Sequence, residues 1–223
     1  MIVTIDGPAG AGKSSVARML AERLEFQFLD TGAMYRAVAW AAQRAKLDWN
    51  DADGLAELAR GLNIEVHGSQ TLVNGEDVSD AIRTVAVTSN TQYAANNPAV
   101  RAHLVELQRR IGDNLDIITE GRDQGTVAFP DAGCKFFLTA TPLERARRRL
   151  KDFAARGETV TLEEVLADQQ ERDKRDAERN VGPLVAATDA IVLVTDEMST
   201  DEVVDHLEGL VRMRLMRASQ QPG

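Results

Sequence analysis

The chain has 223 residues, of which 43% are apolar, and this is enough for one sizeable hydrophobic core. It carries 26 Lys and Arg against 35 Asp and Glu, a formal charge of −9, which excludes a general affinity for nucleic acid or for an anionic membrane. Any anion-binding site must therefore be local.

The apolar runs and the cysteine content predict the compartment. Every apolar run is far shorter than the roughly 20 residues that span a bilayer. No basic segment followed by an apolar stretch opens the chain, so no signal peptide is expected, and the single Cys134 cannot form an internal disulfide. We expect a cytoplasmic protein with no membrane or nucleic-acid partner.

Short apolar runs alternate with helical segments along the chain. Strands are predicted at residues 2–5, 26–29, 117–119, 136–138 and 191–194. This alternation is typical of an α/β fold with a parallel sheet.

The first predicted strand is followed directly by GPAGAGKSS and then by a helix. Gly7, Gly12, Lys13 and Ser14 have the spacing of a phosphate loop. Glycines let backbone N–H groups converge on phosphates, the lysine bridges the outer phosphates and the serine reaches Mg²⁺. The motif predicts a catalytic Lys13, a metal ligand in Ser14, and ATP binding by Gly7, Pro8, Ala9, Gly10, Ala11, Gly12, Lys13, Ser14 and Ser15.

Two segments interrupt the alternation of strands and helices. Short strands are predicted at 64–67 and 71–73, with Asn74-Gly75 turning the chain, so residues 63–83 are predicted to hold a small β insertion. The charged segment at 151–161 is predicted to be an exposed, mobile connection between two helices.

Capping boxes predict three helix starts, at Thr141–Glu144, Thr161–Glu164 and Ser199–Glu202. The last of these helices carries an apolar stripe that is predicted to pack on the sheet: Val203, Leu207, Leu210 and Val211.

The motifs that are absent and the positions of the arginines indicate which class of phosphate-loop protein this is. The sequence has no guanine-reading Asn-Lys-x-Asp and no second large domain, which disfavours GTPases and motor ATPases. A kinase for a phosphorylated acceptor must hold two polyanions together, and guanidinium groups match phosphate geometry. Arginines lie beside glycine, polar or acidic residues in four clusters, at 30–36, 82–84, 120–126 and 171–179.

These motifs together resemble the bacterial cytidylate kinases, which belong to the nucleoside monophosphate kinase group. The resemblance rests on IDGPAGAGKSS, LDTGAMYR, GEDVSDAIRT, EGRDQGTVAFPDA, ERARRR, ERDKRD and PLVAATDAIVL, and it extends from the first strand to Val194. It implies a three-layer phosphate-loop fold with a five-stranded parallel sheet, in a single kinase domain over 1–223. It also implies that residues 63–83 are the core of an acceptor-binding insertion and that residues 151–161 form a short lid connection, which closes over ATP with the arginines of 145–149.

The resemblance also implies which residues bind the acceptor, CMP. Thr91, Arg101 and Asp123 would face the cytosine, Arg36, Arg122 and Arg179 the phosphate, and Arg172 and Asp176 the sugar, with Thr31 in the same set. Arg122 and Arg179 would join Lys13 as catalytic residues. The N4 amino group of cytosine is a donor, which suits the carboxylate of Asp123.

The chain departs from the family pattern at four positions. Thr31 stands where serine is more frequent, Glu120 where the family often has Asp, Gln124 where an apolar residue is usual, and Ala177 where some relatives carry Arg. The longer side chain of Glu120 leaves its relation to Mg²⁺ open, and the sequence offers no physical reason for Gln124.

We therefore expect a monomeric kinase that uses ATP and Mg²⁺ to convert CMP and dCMP to CDP and dCDP. The second pKa of a phosphate monoester is about 6, so the acceptor oxygen is ionised near neutral pH and no strong general base is needed. Two alternatives stay open: a kinase for another small acceptor such as UMP, and a regulatory module that binds nucleotide without turnover.

Overall fold

The structure is a computed structural model that describes residues 1–155 and 157–220. In chain order its elements are β1 (Ile2–Asp6), α1 (Lys13–Leu24), β2 (Gln27–Asp30), α2 (Thr31–Arg44), α3 (Ala52–Gly61), β3 (Ile64–His67), β4 (Gln70–Val73), β5 (Glu76–Asp77), a 3₁₀ turn (Ala81–Arg83), α4 (Val85–Asn96), α5 (Pro98–Gly112), β6 (Ile117–Gly121), a π-helical turn (Gln124–Ala128), β7 (Cys134–Thr139), α6 (Pro142–Ala155), α7 (Leu162–Ala177), β8 (Ile191–Val194) and α8 (Thr200–Ser219).

The main sheet has five strands in the order β2-β6-β1-β7-β8. Strand β1 runs parallel to β6 and β7, and β7 runs parallel to β8. The predicted α/β class and the five predicted strands are thereby confirmed. Strand β6 is two residues longer than predicted because Glu120 and Gly121 pair with Ile5 and Asp6. Strand β2 begins after Phe26 because the N–H of Phe26 donates to Ala21 O and ends α1.

The chain divides into two compact units. The first unit consists of Met1–Phe26 and Ile117–Gly223, and the second consists of Gln27–Asp116. In the part of the chain that the structure describes, no helix combines the length and the apolar character needed to cross a membrane.

The core of the first unit lies around its parallel strands. Val3 and Ile5 of β1 and Phe136 and Leu138 of β7 are buried, as expected for strands covered on both faces. Helix α8 packs against α1, and Arg23 at the end of α1 pairs with Asp201, Asp205 and Glu208 of α8.

The buried face of α8 differs from the predicted stripe at one position. Val203, Leu207 and Val211 are buried as predicted, but Leu210 is only partly buried and Val204 is fully buried instead. The reason is helical geometry, because 203, 204, 207 and 211 centre on one face and 210 lies at its edge.

Two of the three predicted capping boxes are confirmed, at Thr161–Glu164 and Ser199–Glu202. The third, at Thr141–Glu144, is wrong in one of its two hydrogen bonds, because the carboxylate of Glu144 does not accept from the N–H of Thr141. The Thr141 hydroxyl accepts from the N–H of Glu144 at 3.3 Å, but the N–H of Thr141 donates to Asp196 at 3.0 Å. The carboxylate of Glu144 instead accepts from Arg148 at 3.0 Å.

The second unit combines α2 to α5 with a small antiparallel sheet, β3-β4-β5. This sheet confirms the predicted β insertion. Asn74 and Gly75 have φ angles of 51° and 81°, which are the left-handed values that a tight hairpin turn requires. The acceptor-binding role of residues 63–83 stays a prediction.

The segment predicted to be a lid connection, 151–161, is partly helical. Its first five residues are the last turn of α6, and Thr161 caps α7. Arg156 lies outside the described residues. The function of this segment as a lid, and the single kinase domain over 1–223, stay predictions.

Candidate active site

The phosphate loop has the predicted strand–loop–helix context in the first unit. It follows β1 and ends where α1 begins, at Lys13. Gly7 has a φ of 144°, and a Cβ there would lie 2.0 Å from the carbonyl oxygen of Leu138, so only glycine fits. Gly12 caps α1 with a left-handed φ of 85°. The backbone N–H groups at the start of α1 form the kind of site that binds phosphate.

Lys13 is buried inside this loop. Its Nζ donates to the carbonyl oxygen of Pro8 at 2.8 Å. Burial, together with the charge of Arg122, lowers the pKa of the Lys13 amino group to about 7, although the charge of Glu120 acts in the opposite direction. A bound polyanion would favour the ammonium form, so proton uptake at Lys13 should accompany phosphate binding.

Ser14 and Glu120 bring two oxygen ligands together. The Ser14 hydroxyl donates to Glu120 Oε1 at 2.9 Å, and Glu120 is buried near the end of β6. Hydroxyl and carboxylate oxygens suit Mg²⁺, which usually takes one or two protein ligands together with phosphates and water. The pair therefore fits the predicted metal, although the sequence predicts only Ser14 as a ligand.

Arg122 and Arg179, two of the predicted catalytic residues, share one carboxylate. Asp176 Oδ2 accepts from Arg122 Nε at 2.8 Å, and Asp176 Oδ1 accepts from Arg179 at 2.9 Å. Burial alone would raise the pKa of the Asp176 carboxyl, but the charges of Arg122, Arg179 and Arg172 outweigh it and hold that pKa below its usual value. The first unit thus brings together four of the predicted acceptor-binding residues.

Asp123 and Gln124 follow Arg122 at the start of the π-helical turn. Asp123 is buried, and its carbonyl oxygen accepts from the N–H groups of Val127 and Ala128. Gln124 Oε1 accepts from the Thr119 hydroxyl at 2.9 Å. A Cβ at Gly121 would lie 2.7 Å from Gln124 Cγ, so the glycine leaves room for this side chain. The structure thereby explains Gln124, because it ties the turn to β6.

Asp6 also holds this turn, although the sequence does not predict it as a site residue. Its carboxylate accepts from the N–H groups of Gln124 and Gly125. Burial raises the pKa of the Asp6 carboxyl to about 6, although these two bonds act to lower it. A single acid that ends an apolar strand, directly before the phosphate loop, is the sequence signal that points to it.

The second unit places Arg36 against the start of α2. Asp30 Oδ1 accepts from the N–H of Ala33 and caps the helix, while Asp30 Oδ2 pairs with Arg36 at 2.9 Å and with Arg83 at 3.8 Å. Neither Asp30 nor Arg83 is predicted as a binding residue, although both lie in the arginine clusters of the sequence. Thr31 is buried at the first position of the helix.

The other predicted cytosine residues of the second unit lie on α4 and α5. Thr91 donates to Val87 O within its own helix, and Arg101 is buried, donates to Ala95 O and lies 5.5 Å from the ring centre of Tyr35. Their predicted grouping with Asp123 joins residues of both units and stays a prediction.

The arginines of α6 contact protein groups. Arg145 is buried, donates to Ala140 O and Ala9 O at 3.0 Å each, and pairs with Asp173 at 2.7 Å. Ala9 belongs to the phosphate loop, so Arg145 stabilises that loop through this hydrogen bond. Arg148 pairs with Glu144 and donates to Thr195.

Comparison with known proteins agrees with this geometry. The family model described as Cytidylate kinase matches residues 3–213. A cytidylate kinase of Rhodopirellula baltica is 51% identical over 95% of this chain and 93% of its own length, and one of Geobacter sp. is 46% identical over 99% and 96%. A bifunctional pantoate ligase/cytidylate kinase of Synechococcus sp. is 50% identical over 97% of this chain, which spans 45% of that longer protein.

Solved structures support the fold alone. Shikimate kinase from Bacteroides thetaiotaomicron superposes with a TM-score of 0.50 at 13% identity, over 95% of this chain and 98% of its own. An uncharacterized protein from Eubacterium ventriosum gives 0.53 at 11% identity, with the same coverage. The resemblance stated from the sequence is confirmed, and the chain belongs to the cytidylate kinase family.

Proposed function

We propose that the chain transfers the γ-phosphoryl group of ATP to CMP, giving ADP and CDP. Membership of the cytidylate kinase family supports the reaction. The observation that carries the proposal is electrostatic: Lys13 in the phosphate loop is close enough to Arg122 and Arg172 for their charges to lower its pKa. Cations from the donor side and from the predicted acceptor side therefore meet in the first unit.

Positioning and charge neutralisation account for catalysis. Lys13 and the loop N–H groups would hold the outer phosphates of ATP, and Arg122 and Arg179 would hold the acceptor phosphate. Because both arginines are fixed by Asp176, they need little reorganisation when charge develops on the transferred group. The acceptor phosphate is ionised near neutral pH, so the reaction needs no strong base among these residues.

Mg²⁺ would be held by the Ser14 hydroxyl, with the Glu120 carboxylate beside it. When bound, the ion neutralises the negative charge of the ATP phosphates. Before any nucleotide binds, Glu120 keeps the Ser14 hydroxyl oriented through their hydrogen bond.

Recognition of CMP would rest on the residues that the family resemblance assigns to it. Asp123 would accept from the cytosine N4 amino group, with Thr91 and Arg101 facing the same base. Arg36 would add a guanidinium to the acceptor phosphate, and its hold on Asp30 explains why this side chain folds back over the start of α2. Arg172, Asp176 and Thr31 complete the proposed CMP-binding set. The use of dCMP, the cytoplasmic location, the monomeric state and the absence of nucleic-acid and membrane partners stay predictions.

An acceptor panel separates this proposal from the alternatives. ADP release would be followed with CMP, dCMP, UMP, AMP, GMP and dTMP, and with no acceptor. We expect rapid release with CMP and dCMP, much slower release with UMP, and almost none without an acceptor. Preference for UMP would favour the other small-acceptor kinase, and the absence of release with every acceptor would favour the regulatory module.

A further inference from the structure

Asp6 stands where the phosphate loop and the predicted acceptor residues meet. It is the last residue of β1, and it is buried. Across the sheet it pairs with Gly121, the last residue of β6, which directly precedes Arg122. The residue after it, Gly7, begins the phosphate loop. The carboxylate thus lies at the ends of the two strands that carry the two halves of the site.

Both oxygens of this carboxylate bind the backbone of the π-helical turn. Asp6 Oδ1 accepts from Gln124 N at 2.8 Å, and Asp6 Oδ2 accepts from Gly125 N at 2.7 Å. Two short bonds from consecutive amides to one ionised group fix the direction of that peptide segment, because both distance and angle are restrained.

The turn is also confined by packing. A Cβ at Gly125 would lie 2.9 Å from the hydroxyl oxygen of Thr4 and 3.2 Å from Cδ of Lys135, so the backbone sits as close to β1 and β7 as a glycine allows. The bond from the Thr119 hydroxyl to Gln124 holds the same turn from the β6 side. The turn therefore has little freedom while Asp6 is in place.

We propose that Asp6 is a positioning residue, whose carboxylate aims Arg122 and Asp123 at the acceptor by holding the turn that follows them. It acts through the N–H groups of Gln124 and Gly125 and does not itself touch CMP. The inference rests on the proposed function, in which Arg122 and Asp123 contact the acceptor.

The electrostatics of Asp6 support a functional role. Burial disfavours its ionised form, and the nearby charge of Asp123 disfavours it further, so its pKa is raised to about 6. Near neutral pH the ionised carboxylate therefore lowers the stability of the folded protein relative to a neutral group in the same place. A group that destabilises the fold while orienting a site is typical of residues retained for activity.

The test compares Asp6→Asn with the wild-type protein. Asn has the same shape, but it carries no charge and turns its NH₂ group toward one of the two amides. We expect kcat/KM for CMP to fall about 10- to 100-fold, mainly through KM for CMP, while KM for ATP changes less than about twofold. The preference for CMP over UMP should fall as well, because Asp123 is no longer held in the position in which it would contact the cytosine.

Two further variants separate positioning from folding. Asp6→Glu keeps the charge but is one methylene longer, so it should displace the two bonds to the backbone amides and shift KM for CMP in the same direction by a smaller factor. It also tests the proposal if Asp6→Asn does not fold. Val211→Ala, buried in α8, is the matched control: it weakens the core but should leave KM for CMP and the CMP preference unchanged.

Amide exchange provides a readout that needs no substrate. The amides of Gln124 and Gly125 should exchange faster in Asp6→Asn and stay protected in Val211→Ala. Unchanged exchange, or a change in KM for ATP as large as that for CMP, overturns the proposal. If the wild-type protein does not phosphorylate CMP, the proposed function fails instead, while the exchange experiment still decides whether Asp6 holds the turn.

Discussion

Asp176 uses one carboxylate oxygen for Arg122 and the other for Arg179, at 2.8 and 2.9 Å. One acid thus fixes two of the proposed catalytic arginines at once. Its side chain is largely buried, as are those of both arginines. The charge of this acid offsets the repulsion between the two guanidinium groups, which the proposed function assigns to one phosphate.

Replacing Asp176 should slow the phosphorylation of every acceptor by about the same factor. In Asp176→Asn the charge that holds Arg122 and Arg179 is lost, so kcat/KM should fall about 10²-fold for CMP and for UMP. Steady-state kinetics with both acceptors checks this. Near-normal turnover with both would show that the arginines need no such support.

Base choice should depend on Asp123. In Asp123→Asn the amide can present NH₂ to uracil O4, which removes the charge repulsion against UMP and weakens the bond to cytosine. The CMP to UMP ratio of kcat/KM should drop about tenfold to a hundredfold.

Arg122→Lys is the matched comparison for base choice. Its proposed partner is the phosphate that both acceptors share, so it should slow both reactions about equally. If Asp123→Asn also slows both reactions equally and leaves the ratio unchanged, the base is recognised elsewhere.

ATP binding should be accompanied by proton uptake at Lys13. The pKa of this amino group is about 7 in the structure, so at pH 8 it is mostly neutral and must gain a proton to hold phosphate. Calorimetric titration at pH 8 in buffers of different ionisation enthalpy should show uptake, and affinity should decline as the pH rises above 7. Lys13→Met, which retains the chain length but not the charge, should show no uptake. Equal uptake in the variant would assign the proton to another group.

The pH dependence of protein stability should reveal the raised pKa of Asp6. The pKa of Asp6 rises from 3.8 in the unfolded chain to about 6 in the folded protein. Its contribution to the free energy of unfolding is therefore most favourable below pH 3.8 and is lost as the pH rises through 6. The change amounts to about 3 kcal/mol. Urea unfolding of the wild-type protein and of Asp6→Asn should therefore give a difference that moves in favour of the variant between pH 4 and 7. A constant difference would mean that the pKa of Asp6 is not raised.

Local patterns in the sequence predict much of the fold. The strand, loop and helix around Lys13 follow from a motif of adjacent residues, and the capping boxes of α7 and α8 involve residues three apart. The predicted box at Thr141 fails because Asp196, 55 residues away, offers its carboxylate to the same N–H. Burial of β1 and β7 follows from their apolar composition.

The parts of the site that were not predicted depend on contacts between distant residues. Asp6 and Gln124 are 118 residues apart, and only the parallel pairing of β1 with β6 brings them together. The bond between Ser14 and Glu120 spans 106 residues. Gln124 could not be explained from the sequence because its partner, Thr119, is recognisable as a donor only once both side chains are seen to be buried together.

The proposed function requires that a phosphoryl group passes from ATP to CMP on this chain. A ³¹P NMR time course with ATP, Mg²⁺ and CMP follows every phosphorus-containing species at once. We predict that CDP and ADP appear in equal amounts with no inorganic phosphate, and that Lys13→Met slows both by at least about 10². Formation of ADP together with inorganic phosphate, without CDP, would contradict the proposed function.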